Sequence, residues 1–76
     1  MWNITVSGNT IQFSNGEKVW GFPKNTIWLH ANPDDESSID VKLGASRKLM
    51  ISFNHKDCNL AGQTPFDTIN NILGIL

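Results

Sequence analysis

Apolar side chains recur at every second position from the start of the chain, as Trp2, Ile4 and Val6 and then as Ile11 and Phe13 beyond Ser7-Gly8-Asn9. A period of two puts them on one face of a strand. The interleaved Asn3, Thr5, Gln12 and Ser14 suit a face left to water. The pattern predicts strands over residues 2–7 and 10–14. Ser14-Asn15-Gly16-Glu17 then places Asn-Gly at the centre of a tight hairpin, where both residues are expected to take positive φ and match the strand twist. The return strand is expected over 17–21, with Gly21-Phe22-Pro23 ending it at a corner, because proline donates nothing to a ladder.

Alternation resumes over 25–31, with Ile27, Leu29 and Ala31 on one face and Thr26, Trp28 and His30 on the other, both faces partly covered. Residues 32–38, polar, charged and Pro-containing, make a solvated loop. Ile39, Val41 and Leu43, then Leu49, Ile51 and Phe53, predict a further hairpin with strands over 38–43 and 47–53. Thr64-Pro65-Phe66-Asp67 is a helix start, with Thr64 as the cap, proline in the first turn and an acid against the helix dipole. The helix is expected over 65–75, its apolar face formed by Phe66, Ile69, Ile72, Leu73 and Leu76. So short a helix must pack on the sheet to persist. The predicted fold is mainly β within one domain, residues 1–76: a small antiparallel sheet or partly open barrel of about 5–6 strands, closed by one C-terminal helix.

Size adds a constraint. A chain of 76 residues buries little more than ~60% of its unfolded surface, while ordering costs roughly 1.5 kcal/mol per residue. A lone Cys58 excludes an internal disulfide, which leaves association with another chain as an inexpensive source of burial. Six Lys+Arg against seven Asp+Glu give a formal net charge of −1, so the overall balance disfavours nucleic acid. The N-terminus lacks the pattern of a signal peptide and no stretch has the length of a membrane span, so a soluble chain not exported by a signal peptide is expected.

Candidate chemistry is sparse. His55-Lys56-Asp57-Cys58 gathers an imidazole, a carboxylate and a thiol, but a structural zinc needs four ligands and only His30 remains to join them. Nothing local builds an oxyanion hole for a Cys–His nucleophile, and Cys58 is expected to act as a small hydrophobe. Asn32, Asp34 and Glu36 alternate like the start of a calcium loop, but Ser37 replaces the needed glycine and Leu43 the closing glutamate. No nucleophile elbow, phosphate loop or metalloprotease helix occurs. The expectation is a non-enzymatic chain without catalytic residues, metal or cofactor.

Three tryptophans are many for this length. Trp2 belongs to the apolar face of the first strand, whereas Trp20 and Trp28 alternate with Lys18, Thr26 and His30. Trp20, Trp28 and His30 are therefore the candidate interface residues, either buried between copies of the chain or forming a platform for a glycan or single-stranded nucleic acid. A regulatory or inhibitor domain that pairs an edge strand with another protein is a further class.

Trp2-x-Ile4-x-Val6-Ser7-Gly8-Asn9-x-Ile11, Phe22-Pro23-Lys24-Asn25-Thr26-Ile27, Asn32-Pro33-Asp34 and Phe66-Asp67-x-Ile69-Asn70-x-Ile72-Leu73 together span most of the chain. In this layout it resembles small structural proteins encoded in phage and prophage virion-gene clusters. The resemblance implies a β-rich building block that assembles with copies of itself, as a homo-oligomer, or with capsid or tail proteins, and it brings no catalytic residues with it.

Overall fold

The computed structural model describes all 76 residues. The strands are β1 (Asn3–Ser7), β2 (Thr10–Ser14), β3 (Val19–Pro23), β4 (Ile27–Ala31), β5 (Ser38–Leu43) and β6 (Lys48–Asn54), followed by the helix α1 (Pro65–Ile75). The chain is mainly β with every strand pair antiparallel, as the alternation predicts. It is not closed into a barrel. Two three-stranded sheets, ordered β1-β2-β3 and β4-β5-β6, face each other instead.

The connection between the sheets explains the open architecture. The Lys24 amide donates to the Asn9 carbonyl (2.8 Å) and the Gly44 amide donates to the Thr26 carbonyl (2.9 Å). The corner is thus tied to one hairpin of each sheet, and β3 and β4 diverge without pairing. Side chains fill the space between the layers: Phe13 lies 6.1 Å from Phe22 and 6.2 Å from Phe53, ring centre to ring centre. Ile4, Ile11, Ile39, Val41, Ile51 and Ile72 complete the core with Cys58.

Several local expectations are corrected. The third strand is Val19–Pro23, not 17–21, and Gly21-Phe22-Pro23 continues it. β3 lies at a sheet edge, where a missing N–H is tolerated. The corner falls two to three residues later, and β4 begins at Ile27, not at residue 25. Trp2 lies outside β1 in an isolated parallel bridge with Cys58. β6 is Lys48–Asn54, shifted one residue from the expected 47–53, and a register irregularity faces it at Val41/Lys42. The Asn15-Gly16 hairpin is a four-residue loop in which Gly16 alone takes positive φ (94°). Asn15 acts through its side chain, whose Oδ1 accepts the Glu17 and Lys18 amides at 3.0 and 2.9 Å.

The helix forms where its sequence predicts, with Thr64 Oγ1 accepting the Asp67 amide at 3.1 Å. Its rotation differs. Thr68 and Ile72 are fully buried and Ile69 and Leu76 partly so, whereas Phe66 and Leu73 face outward. The cause is a polar anchor. Thr68 Oγ1 donates to the His55 carbonyl (3.1 Å) and accepts the Gly62 amide (2.7 Å), giving the amide its partner and the carbonyl its strongest donor. A Cβ at Gly62 would stand 2.5 Å from that of Asp67, so this close approach requires glycine.

The segment after β6 also covers the free edge of β1. The Trp2 amide donates to the Asp57 carbonyl (2.8 Å) and the Asn59 amide to the Trp2 carbonyl (3.1 Å). Asn59 Oδ1 accepts the Ile4 amide at 2.7 Å and its Nδ2 donates to the Ile4 carbonyl at 2.9 Å. One side chain therefore occupies backbone groups that would otherwise template another strand. No helix is long and apolar enough to cross a membrane.

Candidate functional site

Trp20 and Trp28, paired in the sequence argument, separate in the fold. Trp20 lies opposite Phe13, so strand parity turns it into the sandwich, where its ring centre is 5.4 Å from that of Trp2. Trp2 in turn lies 5.9 Å from Phe53. Trp20 is half-buried in this aromatic cluster, which corrects its expected place on an unfilled face.

Trp28 does lie on an outer face. It stands opposite Lys42, which stands opposite Leu49, so a row of three large side chains crosses the second sheet on the side away from the core. Trp28 and Leu49 remain 42% and 54% exposed. The indole is fixed: Nε1 donates to the Gly44 carbonyl at 2.9 Å and the Arg47 guanidinium lies 4.4 Å from the ring centre. Such stacking orients a cation without neutralising it. Arg47 holds this position from a φ of 53°, beside Gly44 at 74°, in the turn between β5 and β6.

His30, the third candidate, occupies the neighbouring row opposite Asp40, with Ser52 beyond. The buried Asp40 carboxylate accepts from Ser52 Oγ (2.7 Å) and from Asn32 Nδ2 (3.3 Å to each oxygen). Asp40 therefore pins the loop that follows β4.

That loop uses its polar groups on itself. Asn32 Oδ1 accepts the Asp34 amide (2.8 Å), and Asp35 Oδ1 accepts both the amide and the hydroxyl of Ser37 (3.0 and 2.8 Å). The Ser37 bonds hold the Asp35 carboxyl below its ordinary pKa. Asp34 and Glu36 remain exposed. Beside the loop is an open depression of about 490 Å³ lined by Ala31, Asn32, Pro33 and Glu36 on one side and by Thr64, Pro65 and Phe66 on the other. Phe66, 68% exposed, forms its wall at the start of α1.

The His55–Cys58 segment is structural in its geometry. Cys58 Sγ donates to the His55 carbonyl at 3.6 Å, not to the imidazole, and burial raises the thiol pKa. The thiolate is thus disfavoured where a nucleophile would need it. The buried His55 Nδ1 has no hydrogen-bond partner. No three His, Cys, Asp or Glu side chains come together in a metal-binding group.

The fold also sorts charge in a way the linear sequence conceals. The turns at residues 8–9, 24–26 and 44–47 share one end of the sandwich, and Lys24, Lys42, Arg47 and Lys48 lie there without an Asp or Glu. At the other end Asp34, Asp35 and Glu36 of the β4–β5 loop join Glu17, Asp57 and Asp67, against Lys18, Lys56 and a terminal amine 3.8 Å from Asp57, which leaves this end net acidic. Sequence reasoning missed both this polarity and the outward turn of Phe66 and Leu73. The charge signal was present as the Arg47-Lys48 and Asp34-Asp35-Glu36 runs, but only antiparallel pairing puts them at opposite ends.

The fold and its outer surfaces define a small two-sheet sandwich with one capping helix. No protein-family model, curated protein or solved structure matches the chain.

Proposed function

We propose that the chain is a non-enzymatic assembly module that self-associates, of the phage-virion kind its segments resemble, acting in a virion or the host cytoplasm. The observation that carries this reading is the surplus of large apolar side chains outside a small core. Thirteen of 76 residues are buried, while Trp28, Leu49, Phe66 and Leu73 stay exposed on rigid strands and a capped helix. Apolar groups held in place on regular structure lose little entropy when a partner covers them. Trp28 is the indole available for contact; Trp20 packs in the interior beside Trp2. Sedimentation velocity at micromolar concentration tests the proposal. A species larger than the 8.5 kDa chain is expected, and a strictly monomeric protein at all concentrations removes the reading.

One observation favours a second reading. Trp28 with Arg47, Lys42 and Lys48 combines a ring and cations on one corner, the combination that suits single-stranded nucleic acid. Tryptophan emission titrated with oligonucleotides and with oligosaccharides tests it, and unchanged emission excludes it.

A further inference from the structure

We infer that the two ends of the sandwich are complementary docking surfaces, so that the basic, Trp28-bearing end of one copy seats on the acid-rimmed depression of the next in a head-to-tail contact. The inference rests on the self-association reading and specifies its interface. Each end presents both an apolar centre and a charged rim. At one end Trp28 and Leu49 project from the outer face of β4–β6, beside Lys42, Arg47 and Lys48. At the other, Ala31, Pro33, Pro65 and Phe66 line the open depression. Glu36 stands on its wall, and Asp34, Asp35 and Asp67 adjoin it in the chain.

Charge complementarity selects a second copy as the occupant. A net charge of −1 gives no long-range repulsion between molecules, while opposite ends attract and like ends repel. An end-to-end twofold contact would place like ends together and is disfavoured for the same reason, and a side-by-side antiparallel pair would stop at a dimer. The contact joins different patches of identical chains, so it is heterologous and propagates into a ring or an open filament. Nucleic acid fits the basic end less well, because Arg47 already occupies one approach to the Trp28 ring and the acidic end would repel phosphate.

The test is sedimentation velocity of the full chain at about 20 mM and about 500 mM salt, where the screening length differs severalfold. Species beyond a dimer are expected at low salt, with association weakened about tenfold or more at high salt. Two charge-reversed variants carry the test: R47E/K48E at one end and D34K/E36K at the other. All four positions are exposed, and thermal melts verify that each variant folds. Each variant alone is expected to be monomeric, and mixing the two is expected to restore association, because the mixture regenerates opposite charge across the contact.

If the wild type associates but neither reversal weakens it, the head-to-tail contact is wrong and self-association stands. A wild type that never associates overturns both. A third arm uses oligo-dT as the probe: binding that R47E/K48E abolishes, in a wild type that remains monomeric, replaces the inference with nucleic-acid recognition.

Discussion

The two sheets share the same alternation, broken in the second at the Val41/Lys42 irregularity that turns Leu49 outward, yet present opposite exteriors. On the first, the outward positions are Asn3, Thr5, Ser7, Thr10, Gln12, Ser14, Val19, Gly21 and Pro23, with no ionisable or aromatic group. The exterior of the second carries Trp28, His30, Asp40, Lys42, Leu49 and Ser52. Inward the contrast reverses. The first sheet contributes Phe13, Trp20 and Phe22 to the interior, whereas the inner face of the second is largely aliphatic, with Phe53 its one ring. The first sheet thus concentrates aromatic burial, and the second displays aromatic and charged surface. Aromatic burial and displayed surface are divided between layers, so under the proposed self-association their determinants should separate on mutation.

The largest effect should come from the interior of the first sheet. Phe13→Ala removes a fully buried ring that touches both Phe22 and Phe53, and a loss of about 3–5 kcal/mol is expected in urea unfolding. That is comparable to the whole stability of so small a domain. A folded variant with near-wild-type stability would show that the second sheet alone sustains the core.

Thr68→Val should cost about 2 kcal/mol, because it keeps the shape but strands the Gly62 amide and leaves the His55 carbonyl only the weak Cys58 thiol as donor. Hydrogen exchange is expected to rise at Trp2, Ile4 and Asn59, where the same segment covers the edge of β1.

The paired substitutions Trp20→Ala and Trp28→Ala address the division most directly. Trp20→Ala, losing contact with Trp2, is expected to cost about 2 kcal/mol, and Trp28→Ala about 1 kcal/mol for its indole hydrogen bond and Arg47 stack. Association should respond in the opposite order. Equal effects of both on stability and on sedimentation would dissolve the distinction.

The smallest effect concerns pH. The Cys58 thiol is raised in the folded protein, so its contribution is complete below the unfolded thiol value of about 8.5 and is lost as pH rises through the folded value. Alkaline melts should therefore decline less steeply for Cys58→Ala than for the wild type. Thiol reagents should label Cys58 slowly until urea is added.

Local pattern was legible wherever one physical cause dominated. Alternation located six strands, and Thr64-Pro65 with Asp67 located the helix start. The departures arose where a distant group intervened. β3 ran on past Gly21 to Pro23, its last residue, because the edge position removed the need for the proline's missing N–H. The helix face was misjudged because the sequence rule counts apolar residues, whereas Thr68 was drawn inward by the His55 carbonyl and the Gly62 amide, rotating Phe66 out. Trp20 was misplaced because the start of β3 was set two residues early and its partner was unknown; pairing with Phe13 fixes the side to which it points.

By itself the sequence determined the approximate number of strands and their places along the chain, the helix and its cap, and the polar and apolar faces of most strands, since these follow from interactions between residues a few positions apart. The tertiary structure decided that the sheets stay separate, that Trp20 enters and Trp28 leaves the interior, and that charges of opposite sign gather at opposite ends. Those outcomes depend on which strands lie side by side and on which buried polar groups find partners, and both are settled by contacts between residues far apart in the chain.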